Sequence, residues 1–343
     1  MSHMYNEIKE QVTVIKHISN IIQPELEMLQ KHINKKRPKH IVMVARGSSD
    51  NACQYFKYLC EIHAGITVSF AAPSTVSLYN AWIDYSDSMI IAVSQSGQAQ
   101  DVIEIMKLAK DQHAFVLALT NDINSPIAKL ADLHIDIHAG KEYSVAATKS
   151  FTAQLYCLLE IANILSNHKL NKYTQSIAAH VENVLKQESK IFEVANQYIH
   201  VKESYILARG YLYSIALESS LKIQETSYIN SKGYALSDFH HGPFAAIDQV
   251  SHIIIFLKSG ITYQNGLEMI EKVRKTNCHL IVFSDQELID FPQENLIILP
   301  KVDDTISPFL YITAMQLFAW KVSTLRGLNP DEPRGLKKVT ITK

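Results

Sequence analysis

The chain has 343 residues, of which 47% are hydrophobic and 20% are charged, and its formal net charge at pH 7 is −1. Because this balance gives no broad basic surface, we expect neither nucleic acid nor an acidic membrane as a partner. No apolar run of 18 residues and no signal peptide occur, and the four cysteines are scattered, so we expect a cytoplasmic protein. The sequence has no HExxH motif, and we expect no metal and no other cofactor.

The order of the predicted elements indicates an α/β protein with parallel sheets, because short apolar runs alternate with segments of helical periodicity. A helical extension at residues 5–34, interrupted near Pro24, comes first. The strands of the first half are predicted at residues 41–45, 68–71, 89–93, 115–120 and 134–137. Those of the second half are predicted at residues 205–208, 251–257, 279–283 and 296–299. Helices are predicted between strands, as at 101–112 and 264–276, with one long helix at about 174–197.

The two series of strands repeat each other in sequence. The tripeptide Ala45-Arg46-Gly47 recurs as Ala208-Arg209-Gly210, and residues 113–122 align with residues 276–285, each ending in Asp. A third match joins residues 88–97 to residues 251–260, and all three share one offset of 163 residues (208 − 45). Three matches at one offset indicate a duplicated α/β domain.

Two loops of the first copy combine glycine with small hydroxyl side chains. The stretch Gly47-Ser48-Ser49 follows the first strand, and Ser94-Gln95-Ser96-Gly97 follows the third. Beyond the carboxyl ends of parallel strands, helix N-termini present unpaired N–H groups that attract phosphate. The loops contain no lysine or arginine and match neither GxxxxGK[ST] nor GxGxxG, which favours a sugar phosphate over a nucleotide. Helix capping explains any single serine equally well.

Three stretches of the first copy, GSSDNA, SQSGQAQD and SVAATKSFTAQL, resemble the pattern of the sugar isomerase (SIS) domain family. The resemblance extends from about residue 40 to the C-terminus. It is strongest to the isomerase half of glucosamine-6-phosphate synthase and to stand-alone type II glucosamine-6-phosphate deaminases. It implies two tandem SIS domains, each a parallel five-stranded sheet flanked by helices in a flavodoxin-like α-β-α sandwich. The implied parts are a helical extension (1–38), a first SIS domain (39–170), a linker helix (171–200), a second SIS domain (201–328) and an ordered C-terminal tail over the active site (329–343).

The resemblance also assigns the loops of the first copy to the substrate. The residues that it implies for the phosphate are Ser49, Ser94, Gln95 and Ser96, in loops that include Gly47, Ser48 and Gly97. The residues that it implies for the sugar are Val145, Ala146 and Thr148. Two positions depart from the synthase, because its phosphate-loop threonine is Ala99 here and its serine before the Thr-Lys pair is Ala147. Each change removes a hydroxyl and with it one expected contact.

The second copy contains a helical segment with three charged residues on one face, Glu218, Lys222 and Glu225, spaced i, i+4 and i+7. Alone, such a Glu–Lys pair is most often a surface salt bridge. The apolar residues around it indicate a mostly buried helix instead, where three charges need a reason. The later loop of this copy reads FLKSG where the first copy has its serines, and we expect no second phosphate site there.

The same helical segment matches the synthase pattern ALExxLKxxExxY…HGP without a gap. On this resemblance Glu225 is the base that moves a proton between C1 and C2, and His241, supplied by the neighbouring subunit, opens the sugar ring. Lys222 and Glu218 correspond to residues that orient and neutralise the sugar oxygens. The stretch NPDEPRGLKKVTITK resembles the synthase C-terminus and places Lys338 on its Schiff-base lysine, directly after Lys337.

These roles suit the chemistry of moving a carbonyl between two carbons of an aminosugar phosphate, which needs ring opening, proton transfer and stabilisation of charge on oxygen. We expect an isomerase-type deaminase that converts glucosamine 6-phosphate to fructose 6-phosphate and ammonia, active as a homodimer. No counterpart of the synthase's glutaminase domain is found and no cysteine precedes Cys53, so we expect the degradative direction.

Two kinds of alternative remain open. A fructosamine 6-phosphate deglycase or a simple phosphosugar isomerase would use the same residues, and only the volume of the pocket distinguishes them. A phosphosugar-sensing regulatory protein without catalysis is favoured by Ala99 and Ala147. It is opposed by Glu225, His241 and Lys338, because a sensor needs no proton transfer.

Overall fold

The structure is a computed structural model that describes residues 2–338, and the last five residues of the predicted tail lie outside the described residues. Its first sheet consists of β1 (His40–Val44), β2 (Thr67–Phe70), β3 (Ser88–Val93), β4 (Phe115–Thr120) and β5 (Leu133–Asp136). Its second sheet consists of β6 (Glu203–Ala208), β7 (Asn230–Ala235), β8 (His252–Leu257), β9 (His279–Ser284) and β10 (Leu296–Ile298).

The two sheets have the same topology. The first has the strand order β2-β1-β3-β4-β5 and the second the order β10-β9-β8-β6-β7, with every pairing parallel. When the five strands of each copy are numbered 1 to 5 in chain order, both sheets have the order 2-1-3-4-5, which is the flavodoxin-like arrangement. The prediction of two parallel five-stranded sheets from a duplicated domain is therefore confirmed.

Helices connect and flank the strands. In the first half of the chain they are α1 (His3–Ile21), α2 (Gln23–Lys35), α3 (Ser48–Leu59), α4 (Pro73–Ser77), α5 (Gln100–Asp111), α6 (Pro126–Leu130) and α7 (Lys149–Leu165). In the second half they are α8 (Asn171–Thr174), α9 (Ile177–Leu185), α10 (Glu188–Ala195), α11 (Leu212–Ser227), α12 (Leu236–Phe239), α13 (Tyr263–Arg274) and α14 (Ser307–Leu325). No helix within the described residues combines the length and the hydropathy needed to cross a bilayer.

The central strands are apolar on both faces because helices cover both sides of each sheet. In the first sheet Val42 and Ile90 belong to one buried cluster with Ile105 and Met106 of α5. The second sheet repeats this packing between β8 and α13. Every residue of α7 is buried, which is typical of a helix inside a large α/β core.

One strand of the second sheet, β7, was not predicted, because its sequence NSKGYA is polar and contains a glycine. The repeat offset of 163 residues places Thr67, the first residue of β2, on Asn230, the first residue of β7. The glycine has a structural role, since a Cβ at Gly233 would lie 2.6 Å from the carbonyl oxygen of Ala216 on α11. Gly233 therefore lets the helix that carries Glu218, Lys222 and Glu225 lie directly against β7.

The prediction of one long helix at 174–197 is wrong, because α9 ends at Leu185 and α10 begins at Glu188. Between them the N–H of Gln187 donates to the carbonyl of Val184, a tighter turn than the α-helical pattern allows.

The described chain forms two compact units. The first-sheet unit contains Thr13–Glu142, Lys149–Gln175 and residues 337–338. The second-sheet unit contains residues 2–12, Tyr143–Thr148 and Ser176–Leu336. The short segment Tyr143–Thr148, which holds Val145, Ala146 and Ala147, thus belongs to the unit of α11 although its sequence lies in the first copy.

Candidate active site

The first serine loop lies between β1 and α3 in the first-sheet unit. Gly47 precedes α3 with a φ of +56° and a ψ of −130°, a backbone conformation that residues with a side chain rarely adopt. The Ser49 hydroxyl in the first turn is buried and accepts a hydrogen bond from the amide nitrogen of Gln154 at 3.0 Å. The loop therefore presents the N-terminus of α3, the positive end of its helix dipole, at the carboxyl edge of the sheet.

The second serine loop, which follows β3, is closed by its own hydrogen bonds. The Gly97 N–H donates to Ser94 Oγ at 3.0 Å, and the Gln98 N–H is 3.4 Å from Ser96 Oγ. Gly97 has a φ of +63°, and a Cβ there would lie 2.1 Å from Oγ of Ser125. Ser125 is buried and caps α6 by accepting from the Ala128 N–H. The packing against Ser125 therefore requires glycine at position 97, whether or not a ligand also requires it.

Replacing Gly97 by alanine is expected to lower the free energy of unfolding by about 1–3 kcal/mol and to weaken the binding of inorganic phosphate, because the loop must move away from Ser125. The matched control is Gly65→Ala, whose φ of +65° is similar but whose Cβ would meet no atom within 4 Å. Urea unfolding and calorimetric titration with phosphate measure the two effects. Equal losses in the two variants would contradict the role given to the Ser125 contact.

An ion pair that the sequence analysis missed connects the two loops. The Arg46 guanidinium donates to Oδ2 of Asp101 from Nε at 2.7 Å and from Nη2 at 2.5 Å. Arg46 directly precedes Gly47, and Asp101 is buried in the first turn of α5. The pair therefore fixes the distance between the loops and places a cation beside them. The repeated tripeptide Ala-Arg-Gly was the sequence feature that could have drawn attention to Arg46.

Lys338 lies in the same unit as the serine loops. Lys338 Nζ is 2.5 Å from Oε2 of Glu142, whose side chain is fully buried. Glu142 also accepts hydrogen bonds from the N–H and the hydroxyl of Ser150. The sequence did not predict Glu142 as a site residue. Lys337, which it did predict, is exposed. With Gln95 and His138, Glu142 lines a cavity of about 540 Å³ within this unit.

The three charged residues on α11 form a buried group in the second-sheet unit. Lys222 Nζ lies 3.3 Å from Glu218 Oε1 and 2.6 Å from Glu225 Oε2. The side chains of Glu218 and Lys222 are fully buried, while that of Glu225 is 20% exposed. Burial alone would lower the pKa of Lys222, but the two carboxylates outweigh it and the pKa is raised. Lys222 is therefore a fixed cation, and Glu225 is the member of the group that solvent reaches.

The predicted ring-opening residue, His241, lies in the turn after α12, and its side chain is exposed. The neighbouring residue, His240, has its Nδ1 3.1 Å from Lys272 Nζ. Burial and the nearby ammonium group lower the pKa of His240. Among residues 2–338, no group of three or more His, Cys, Asp and Glu side chains is placed to hold a metal ion.

In the second copy the loop after β8 is bonded to an aspartate of the protein itself. Lys258 is buried, and its Nζ donates to Oδ2 of Asp285 at 2.7 Å. The carboxylate of Asp285 also accepts from the N–H of Ser259 at 2.7 Å and from its hydroxyl at 2.5 Å. Lys258 and Ser259 correspond to Gln95 and Ser96 at the repeat offset, and Asp285 corresponds to Asp122, which is exposed in the first copy. In the second copy a carboxylate of the protein therefore occupies the donors that a phosphate would need.

Two segments of the chain, residues 34–163 and 197–326, each match the SIS domain family. The chain belongs to the SIS domain family. Each match contains one of the two parallel sheets, so the tandem SIS domains expected from the stretches GSSDNA, SQSGQAQD and SVAATKSFTAQL are confirmed.

The tandem SIS domains have relatives in sequence and in structure. The chain is 33% identical over 320 residues to a glutamine–fructose-6-phosphate aminotransferase (isomerizing) of Haemophilus influenzae, over 89% of this chain and 52% of that protein. It spans about half the length of the curated relatives it matches. The C-terminal domain of glucosamine-fructose-6-phosphate aminotransferase from Francisella tularensis has a TM-score of 0.86 and 26% identity, over 97% of this chain and 98% of that chain. The glucosamine-6-phosphate deaminase of Thermotoga maritima shares the SIS fold with a TM-score of 0.79 at 19% identity, over 99% and 100% of the two chains.

Proposed function

We propose that this SIS protein is a phosphosugar isomerase-type deaminase that converts glucosamine 6-phosphate and water to fructose 6-phosphate and ammonia. The observation that carries the proposal is the buried group Glu218–Lys222–Glu225, in which one carboxylate keeps contact with solvent. Burying three charged side chains of one helix is costly. Proton transfer at carbon gives them a use, because it needs a carboxylate as the base and a cation beside the oxygen that becomes negative. The relatives include isomerizing aminotransferases named for fructose 6-phosphate, and these names support a sugar phosphate as the substrate class.

In this proposal the first copy supplies the grip on the substrate. Ser49, Ser94, Gln95 and Ser96 donate hydrogen bonds to the phosphate, together with the N–H groups at the start of α3. The Arg46–Asp101 pair keeps the loops at a constant spacing. The phosphate is unreactive in this chemistry, so its binding energy serves to fix the reacting carbons.

The second copy supplies the proton transfers. His241 gives a proton to the ring oxygen as the C1–O5 bond breaks and the C1 hydroxyl loses its proton to solvent, which produces the open-chain aldehyde. Glu225 then takes the proton from C2 and returns it to C1, so that the aldehyde becomes an alcohol and the amine at C2 becomes an imine. The fixed positive charge of Lys222 stabilises the negative charge that develops on oxygen between these two steps.

Release of ammonia requires the C2 imine to be replaced. The Lys338 amine attacks C2, ammonia leaves, and water then hydrolyses the resulting Schiff base to the ketone of fructose 6-phosphate. A lysine must lose its proton before it can attack, and the buried carboxylate of Glu142, 2.5 Å from Lys338 Nζ, is a suitable acceptor for that proton. A deglycase would run the corresponding steps with the substituted amine on C1, so that the proton moves from C1 to C2 and the amine is then lost from the C1 imine by hydrolysis.

The test is incubation of the protein with glucosamine 6-phosphate, with ammonia and fructose 6-phosphate measured separately. Equal amounts of both products are expected. Fructosamine 6-phosphate as the better substrate would indicate the deglycase. Tight binding of sugar phosphates without turnover of any would contradict an enzyme and favour the sensor, for which the missing hydroxyls at Ala99 and Ala147 argue.

We also propose that His241 acts in the active site of a neighbouring copy, which makes a homodimer the active unit. A mixture of equal amounts of Glu225→Gln and His241→Asn chains, refolded together, is then expected to recover about a quarter of the wild-type activity, because half of the dimers are mixed and each has one intact site. Each variant alone should be inactive. If the mixture stays as inactive as its components, His241 does not act between subunits.

A further inference from the structure

The segment Tyr143–Thr148 forms neither helix nor strand, yet other parts of the second-sheet unit hold its backbone at several points. The contacts come from α1, from α14 and from the stretch after α14. In a loop of six residues such contacts leave little conformational freedom, so the shape of this loop is set by residues far from it in sequence.

The strongest of these contacts comes from Glu7 on α1. Its side chain is only 3% exposed, and its carboxylate accepts from the N–H of Tyr143, from the N–H of Ser144 at 3.2 Å and from the Ser144 hydroxyl at 2.5 Å. Hydrogen bonds to a carboxylate are about twice as strong as those between neutral groups, and a buried carboxylate without them would be costly. Glu7 and the loop therefore depend on each other.

The remaining contacts position α1 and the other end of the loop. The Val145 N–H donates to the carbonyl of Asp331 at 3.1 Å, and Gln316 on α14 donates to the carbonyl of Thr148 at 3.3 Å. The Asp331 side chain accepts from the hydroxyl of Ser2 and from the N–H groups of His3 and Met4. This carboxylate stabilises the start of α1, where the helix dipole is positive, and so holds the helix that carries Glu7.

We propose that Glu7 is a positioning residue for the sugar, acting through the backbone of Tyr143–Thr148. The inference rests on the proposed function and on the resemblance to the synthase, which implies Val145, Ala146 and Thr148 for the sugar. Residues 145–147 have no polar side chain, and the side chain of Thr148 is buried, so residues 145–148 can hydrogen-bond the sugar hydroxyls only with their backbone. Ser144 and Ala146 are buried while Val145 and Ala147 are partly exposed, so the held conformation turns alternate residues outward. An error in the backbone position would then directly weaken recognition of the sugar and leave recognition of the phosphate unchanged.

The test is the variant Glu7→Gln, which keeps the size of the side chain but turns an acceptor into an NH₂ group facing N–H donors. We expect the affinity for fructose 6-phosphate to fall about tenfold, as for the loss of a charge-assisted hydrogen bond, while the affinity for inorganic phosphate stays unchanged. Hydrogen exchange should become faster at the amides of Tyr143 and Ser144 and remain unchanged in α11. Glu10→Gln, an exposed carboxylate on the same helix, is the matched control and should leave all three measurements unchanged.

Two results would overturn the inference. One is faster exchange in the loop with an unchanged affinity for fructose 6-phosphate, and the other is an equal loss of affinity for the sugar phosphate and for inorganic phosphate. If Glu7→Gln does not fold, Ser144→Ala removes one of the three hydrogen bonds and should show the same pattern with smaller effects. Binding without turnover in the wild-type protein would sink the proposed function alone, whereas no preference of the wild type for the sugar phosphate over phosphate would sink both.

Discussion

Replacing Lys222 by methionine is expected to lower the free energy of unfolding by about 3–5 kcal/mol at neutral pH. The substitution roughly preserves the volume of the side chain but leaves the fully buried carboxylate of Glu218 without the cation 3.3 Å away. Removing one partner of a buried ion pair costs much more than the pair contributes, because the remaining charge stays in a poorly solvated site. Urea unfolding followed by circular dichroism measures the loss.

The sign of the pH dependence in this variant follows from the same argument. Without Lys222, burial should raise the pKa of Glu218 above its value in the unfolded chain, so the folded variant binds a proton more readily. Its deficit relative to the wild type should therefore shrink as the pH falls. The matched control is Lys186→Met, which removes an i, i+4 pair with Glu182 at 3.6 Å on an exposed helix surface. A change of no more than about 1 kcal/mol is expected there, and a similar loss in both variants would contradict the burial argument.

The variant Glu225→Gln is expected to reduce kcat on glucosamine 6-phosphate by a factor of about 10²–10⁴, the usual contribution of a positioned general base. KM should change little, because the phosphate is held by other residues. The amide can still accept a hydrogen bond from Lys222, so the fold should be retained. In D₂O the wild-type enzyme should place deuterium at C1 of the product, and the variant should not do so at a measurable rate.

A carboxylate on the same unit that takes no part in the site provides the comparison. Glu271 lies on α13 and is exposed, and Glu271→Gln should keep wild-type kcat and wild-type deuterium incorporation. If Glu225→Gln retained activity within a factor of about ten, proton transfer at carbon would have to be assigned to another group.

Much of the architecture could be predicted from the sequence because the central strands are apolar on both faces. Runs such as the one that became β3, with Met89, Ile90 and Ile91, have few other solutions than a covered parallel sheet. The repeat offset of 163 residues then indicated that the second copy has the same fold as the first. What periodicity could not show was β7, since an edge strand with Gly233 lacks an apolar pattern, and here only the repeat could have located it.

The site was predictable to a smaller extent, and for a physical reason. Glu218, Lys222 and Glu225 are close in sequence, so helical spacing alone brings them together, and the structure shows them as one buried group. Arg46 with Asp101, Lys338 with Glu142, and Glu7 with Ser144 are pairs separated by 55, 196 and 137 positions. Such contacts form only when the chain folds, and no local pattern in the sequence predicts them.

The carboxylate of Asp285, bonded to Lys258 and Ser259, has a consequence for stoichiometry. A duplicated protein could hold two equivalents of substrate, but in the second copy the donors of Lys258 and Ser259 are already bonded to a carboxylate of the protein itself. Isothermal titration should therefore give one molecule of sugar phosphate per chain.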